Sequence, residues 1–174
     1  MIAGIYGGRE LIAPHGRSTR PTSDRVREAL FSILGELEGA SVLDLFAGSG
    51  ALAIEALSRG AAAAALVDSS PAAVAAISRN LEALGAVATV HRQDALAFLG
   101  RARARERQYD LVFLDPPYRT AAALSAKLTV ALAPVLAPHA RVVAESDRRR
   151  PLDLGLELVD QRRYGDTLIQ IHRS

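Results

Sequence analysis

From Ser41 onward the chain alternates short apolar runs with helix-length segments, and this alternation constrains the fold more than any other feature. Runs that read as strands occupy 41–46, 63–68, 87–91, 109–114 and 140–145. Segments of helical spacing lie between them at about 50–59, 71–84, 94–104 and 121–136. Strands apolar on both faces and joined through helices predict an α/β fold, with a mostly parallel sheet covered on both sides. Two further strands, Leu156–Arg162 and Thr167–His172, flank Arg163-Tyr164-Gly165-Asp166. They predict an antiparallel hairpin at the sheet edge, which makes seven strands in all.

The N-terminal stretch breaks this rhythm. Ile2, Ile5 and Tyr6 precede Gly7-Gly8, and Leu11-Ile12 follow, so residues 2–13 are expected to form a β-hairpin. Residues 14–20 read as a loop carrying Arg17 and Arg20. Pro21-Thr22-Ser23-Asp24 reads as a helix start, with a hydroxyl cap after proline. Val26, Leu30, Ile33, Leu34 and Leu37 then give an apolar stripe that stops near Gly39. Residues 1–38 are expected to be an extension of a single domain whose core is 39–174.

Composition sets limits on function. Hydrophobic residues make up 49% of the 174 and charged ones 23%, which suits one globular domain. There is no 18-residue apolar run and no charged-then-apolar leader, so no membrane span or signal peptide is expected. With no cysteine, disulfides, thiolate metal sites and cysteine nucleophiles are excluded, and the pattern fits a cytoplasmic protein. His15, His91, His139 and His172 are scattered and read as surface or strand residues, so no metal site is expected. Formal net charge is only +2, yet arginines cluster at Arg9, Arg17, Arg20, Arg25 and Arg27, at Arg101, Arg103, Arg105 and Arg107, and at Arg148–Arg150. The guanidinium fork suits phosphates and base edges. Compositional bias toward arginine and alanine accounts for the Arg101–Arg107 run better than function does, as a solvated helix end; the N-terminal cluster is the stronger functional candidate.

The first strand runs into a glycine loop: Asp44-Leu45-Phe46-Ala47-Gly48-Ser49-Gly50. Gly48 and Gly50 let the backbone turn tightly and approach a ligand. A dinucleotide pattern would place a third small residue where Ala53 stands, so the glycines alone do not choose between cofactors. Asp44 does: its charge would repel a pyrophosphate and attract a cation such as the sulfonium and amino group of S-adenosylmethionine. Asp68 ends the second strand and is placed to accept from ribose hydroxyls. After the third strand, Asp94 can hydrogen-bond an adenine amino group, cap the next helix, or both, with Ala95 packing nearby.

The fourth strand ends in Asp115-Pro116-Pro117-Tyr118. An exocyclic amine of a base is a poor nucleophile, because its lone pair is delocalised into the ring. A carboxylate at Asp115 and a backbone carbonyl of the rigid Pro116-Pro117 step can each accept one of its N–H bonds, turning the lone pair toward a methyl donor. Tyr118 can stack on the base. The plain structural alternative is a strand end, a Pro-Pro turn and a packing tyrosine.

Asp44 through Gly50, then Asp68, Asp94 and Asp115–Tyr118, in this order, resemble the class I S-adenosylmethionine-dependent methyltransferases that act on amines. Arg20-Pro-Thr-Ser-Asp-Arg-Val-Arg-Glu-Ala-Leu-Phe-Ser-Ile-Leu34 narrows the resemblance to the bacterial small-subunit ribosomal RNA guanine-N2 methyltransferases, of the guanine-966 type. Gly4-x-x-Gly-Gly-Arg-Glu-Leu11, Leu57-Ser-Arg-Gly-Ala61 and Arg162-Arg-Tyr-Gly-Asp-Thr167 carry it further, from residue 2 to about 173. Ser70 departs from it, where the family often has an acidic residue. The resemblance implies a Rossmann-like methyltransferase fold and S-adenosylmethionine as cofactor. It also implies 16S ribosomal RNA or a small-subunit particle as partner, a monomer, and an N-terminal extension that grips RNA through Arg9, Arg17, Arg20 and Arg25.

Three rivals carry specific expectations. An adenine-N6 methyltransferase shares Asp115–Tyr118 but needs a recognition domain for which 174 residues leave little room. A non-catalytic nucleotide- or RNA-binding module does not account for Asp44, Asp68, Asp94 and Asp115 together. A nicotinamide dehydrogenase conflicts with Asp44.

Overall fold

The computed structural model describes residues 1–14 and 24–174, with the backbone alone for 118–123. Its elements are α1 (Asp24–Leu34), β1 (Ser41–Leu45), α2 (Ala51–Ser58), β2 (Ala63–Asp68), α3 (Pro71–Leu84), β3 (Thr89–Arg92) and α4 (Ala95–Ala104). They continue with β4 (Tyr109–Leu114), α5 (Tyr118–Leu132), β5 (Leu136–Asp147), β6 (Glu157–Tyr164) and β7 (Thr167–Arg173). The strands form one seven-stranded sheet in the order β3-β2-β1-β4-β5-β7-β6. The first five are parallel; β7 is antiparallel to β5 and β6. The expected α/β layering and terminal hairpin are therefore both present.

Side chains alternate across the sheet into two cores. Leu43, Leu45, Val112 and Leu114 point to one side, where Leu99 of α4 and Leu128 of α5 cover them. Val42, Leu66, Leu111 and Phe113 point to the other, against Phe31 of α1, Ile54 of α2 and Ile77 of α3. Local chemistry sets the helix ends. Ser70 caps α3 through Ala73 N–H at 3.4 Å, Pro71 opens it, and Gly85 closes it at φ +63°. Asp94 caps α4, accepting from Leu96 and Ala97 N–H at 2.9 and 3.1 Å.

Three expectations need correction. The β-hairpin at 2–13 does not form: the segment has no strand, only a 3₁₀ turn over Gly4–Tyr6. Its backbone groups are taken by side chains on α2 and α3 instead of by a partner strand. Secondly, α1 turns Phe31, not Ile33, into the core; Ile33 is 38% exposed and Phe31 is 1% exposed. The buried arc of α1 runs through Val26, Arg27, Leu30, Phe31 and Leu34, and the helix stops at Leu34 because Gly35 takes φ +66°. Thirdly, α5 starts at Tyr118, earlier than 121, and ends at Leu132 in a 3₁₀ turn containing Pro134, whose ring nitrogen has no hydrogen to continue the helix. The expected loop at 14–20, apart from Pro14, and the cap before Asp24 lie outside the described residues.

Candidate active site

Strand order reverses between β1 and β4, and in an open parallel sheet ligands bind outside the carboxyl ends at such a point. The register there pairs Asp44 with Phe113 and Leu45 with Leu114. The glycine loop after Leu45 and the Asp115-Pro116-Pro117 step after Leu114 therefore leave the sheet side by side.

The loop is held by its own backbone and by two acids. Phe46 and Ala47 N–H both donate to the Val67 carbonyl at 3.0 Å, with Phe46 at φ +70°, a conformation disfavoured for a bulky residue. Asp68, 4% exposed, accepts from Gly48 N–H at 3.0 Å and from Ser70 N–H at 2.8 Å. Gly50 N–H closes the turn on the Ala47 carbonyl at 2.7 Å. At Gly50 (φ +81°) a Cβ would meet Leu66 Cδ2 at 2.8 Å, so this glycine is needed for packing. At Gly48 (φ +59°) a Cβ would meet nothing closer than the Phe46 carbonyl oxygen at 4.0 Å, which leaves that side open to a ligand.

Asp44 lies beneath the loop, 3% exposed, and accepts from Ala53 N–H at 3.3 Å in the first turn of α2. Burial pushes its carboxyl up to about 7; the Ala53 hydrogen bond opposes this, and the Asp68 charge adds to it. A buried acid held near half-ionisation is the electrostatic complement of a cation. Ser49 faces α3, where its carbonyl accepts from Asn80.

Asp94 performs the capping role that its position allowed, on exposed surface, and Ala95 behind it is buried. Asp115 is exposed, Pro116 buried and Pro117 exposed, with Pro117 as the residue that precedes α5. The Tyr118 side chain and the whole of Arg17 and Arg20 lie outside the described residues. Arg9 and Arg25 are both exposed.

Helix α1 ties this site to the N-terminal segment. Arg141, at the start of the parallel stretch of β5, donates to the Leu34 carbonyl at the end of α1. One turn earlier, Phe31 packs on Phe113 with ring centroids 5.9 Å apart. The helix therefore runs antiparallel to β4 and β5, and its first turn, with Asp24 and Arg25, lies toward the carboxyl ends where Asp115 leaves the sheet.

Sequence reasoning passed over two groups here. Glu145, 8% exposed, follows the Leu114–Ala144 pair and so lies beside Asp115 on the next strand. Asn80, 2% exposed, links α3 to both the glycine loop and Ile12. The available signal for Asn80 was its place on the apolar stripe of α3, with Ala73, Ala76, Ile77 and Leu81; Glu145 follows the apolar run Val142-Val143-Ala144.

Comparison with known proteins fits this geometry. The family model described as "Conserved hypothetical protein 95" matches residues 1–173. A Bacillus subtilis (strain 168) protein, YlbH, described as a candidate rRNA methyltransferase, is 38% identical over 180 residues, covering 100% of this chain and 98% of that one. Ribosomal RNA small subunit methyltransferase D of Escherichia coli (strain K12) is 43% identical over 121 residues, which span 68% of this chain and 60% of that protein. The solved Escherichia coli structure yhhF, described as a candidate methyltransferase, superposes with a TM-score of 0.84 at 35% identity, over 99% of this chain and 96% of that one.

Proposed function

Since the chain belongs to the Conserved hypothetical protein 95 family, we propose that it methylates the exocyclic N2 amine of a guanine in small-subunit ribosomal RNA, using S-adenosylmethionine. The observation that carries this reading is the β1–β4 register, which sets a glycine loop with a buried acid beside Asp115-Pro116-Pro117.

The residues fit the cofactor. Buried Asp44, held up to about 7, offers a negative charge that a cation would bring out, and the open side of Gly48 leaves room for close approach. Asp68 already fixes the loop through Gly48 and Ser70, and it stands at the end of β2, where a carboxylate accepts from a ribose hydroxyl. Asp94 spends one oxygen on the α4 cap and leaves the other for an adenine amine. The cofactor supplies an electrophilic methyl group. The protein's part is positioning: Asp115 and the Pro116 carbonyl accept the two N–H bonds of the guanine amine, turning its lone pair away from the ring. Tyr118 stacks on the base. The amine loses one proton as the new N–C bond forms, and it leaves toward Asp115 or water.

The 1–38 extension serves as the RNA grip, through Arg9, Arg17, Arg20 and Arg25. Support comes from both described flanks of the arginine-bearing loop. Ile12 is held beside the glycine loop through Asn80, and Asp24 begins a helix whose first turn lies toward the catalytic end of the sheet. The full reading is a cytoplasmic monomer acting on a small-subunit particle. Among the described residues no helix is long and apolar enough to cross a membrane.

The test is methyl transfer from labelled donor to ribosomal particles from cells lacking the protein, with the product nucleoside identified by mass spectrometry. N2-methylguanosine is expected. N6-methyladenosine, or no transfer with donor bound, would overturn the reading.

A further inference from the structure

The first twelve residues form a strap laid across α2 and α3, and its anchors are buried side chains. Glu55, fully buried, accepts from Ile2 and Ala3 N–H at 2.8 and 3.1 Å. Ser58 accepts from Tyr6 N–H at 2.9 Å and donates to the Ala3 carbonyl at 2.5 Å. Gly4 lies so close to α2 that a Cβ there would stand 1.7 Å from the Ser58 carbonyl oxygen.

The last anchor differs from the others, because it also holds the glycine loop. Asn80 Oδ1 accepts from Ile12 N–H at 2.8 Å, and Nδ2 donates to the Ile12 carbonyl at 3.0 Å, as a paired strand would. The same Nδ2 donates its other hydrogen to the Ser49 carbonyl at 2.9 Å. Both N–H bonds of the amide and its carbonyl oxygen are thus engaged. Its hold on Ser49 fixes the Ser49–Gly50 peptide, whose N–H points the opposite way and closes the turn on Ala47. One buried amide thus sets the loop conformation and the exit of the strap, two residues before the described segment ends at Pro14.

We propose that Asn80 is a positioning residue that couples the RNA-gripping extension to the cofactor loop, so that RNA and cofactor strengthen each other's binding through it. This rests on the functional reading above. The strap is docked without RNA, and RNA gripped by the extension restrains it further, so that Ile12 keeps Asn80 in the rotamer that pins Ser49 and the loop stays set for the cofactor. The coupling is reciprocal, because both ligands draw on the same amide orientation.

The experiment measures the affinity of unmodified small-subunit ribosomal RNA with and without saturating S-adenosylhomocysteine. It uses the full-length wild type, Asn80→Ala, Asn80→Asp and Gly4→Ala, each checked for folding by circular dichroism. Asn80→Asp keeps an acceptor for Ile12 N–H and loses the donor to Ser49. Gly4→Ala lifts the strap from α2 without touching Asn80, and serves where the Asn80 variants do not fold. In the wild type, RNA affinity should rise about fivefold or more with S-adenosylhomocysteine present. In every folded variant the ratio should fall to near one, an effect that general destabilisation does not produce. A wild-type ratio of one, or a wild-type ratio kept in the folded variants, overturns the coupling. A wild type that binds no S-adenosylhomocysteine overturns the functional reading itself, so the two failures are told apart.

Discussion

Cofactor binding should release a proton from Asp44. This carboxyl is 3% exposed, and burial holds it at about 7, against 3.8 for the ordinary group. A raised carboxyl binds an extra proton in the folded state between these two values, so its contribution to stability falls as pH rises through that window. The slope is about 1.4 kcal/mol per pH unit, accumulating to about 4 kcal/mol by pH 7, with no further loss above it. A cationic ligand reverses the balance by favouring the carboxylate. At pH 6 most cofactor-free molecules hold the proton, so binding S-adenosylhomocysteine should release the larger fraction of a proton there and little at pH 8. Affinity should fall about tenfold per pH unit below 7. Calorimetry at pH 6 and 8, in pairs of buffers with different ionisation enthalpies, reads both quantities. Asp44→Asn cannot ionise. It should be the more stable protein at pH 8 without cofactor, by on the order of 2 kcal/mol or more, and a poor cofactor binder at every pH. Equal affinity at pH 6 and 8, with no buffer-dependent heat, would refute the assignment of Asp44 as the counter-charge.

Asp68→Ala should weaken cofactor binding in calorimetry by about 1–3 kcal/mol, since it strands the Gly48 and Ser70 N–H groups as well as any ribose hydroxyl; wild-type affinity would remove it from the site. Asp115→Ala should lower methyl transfer about 100-fold or more while cofactor binding survives. In the same radiolabel assay Tyr118→Phe should remain active and Tyr118→Ala should not, and equal loss in both would end the stacking role. Neutralising Arg17 and Arg20 together should flatten the salt dependence of RNA binding by about 0.7 in slope for each lost phosphate contact. Cofactor affinity should stay unchanged, and an unaltered slope with unaltered turnover would show that the grip lies elsewhere.

What was legible in the sequence was what a short window encodes. Strand and helix limits follow from Ser70, Pro71, Gly85 and Asp94, each acting within a few residues of itself. The glycine loop and Asp115-Pro116-Pro117 could be placed because strand alternation carries each to the carboxyl end of its strand. The N-terminal strap was misread because its hydrogen-bond partners are far away in sequence and follow no period. Tyr6 meets Ser58 across 52 positions, and Ile12 meets Asn80 across 68. Ile2, Ile5, Leu11 and Ile12 resemble strand residues, yet a strand needs a partner edge, and here buried side chains take its place.

The cost of burying polar groups explains why those partners matter. Glu55, Ser58 and Asn80 sit 0–3% exposed on helices that otherwise pack with alanine, leucine and isoleucine. A buried carboxylate or amide without partners costs several kcal/mol, so each needs a fixed set of donors and acceptors nearby. Here the main chain of the strap supplies most of that set. The dependence therefore runs both ways: the strap has no secondary structure of its own beyond one 3₁₀ turn, and the helices carry buried polar groups to which the strap's main chain supplies partners, beside Arg59 at Glu55 and Ser49 at Asn80. A polar residue inside an apolar helical stripe is thus a usable signal of a docked segment, even though it does not say which segment docks. Glu145, in β5 next to the Asp115 strand end, is likewise a buried carboxylate, but it lies in a strand and so carries no helical-stripe signal.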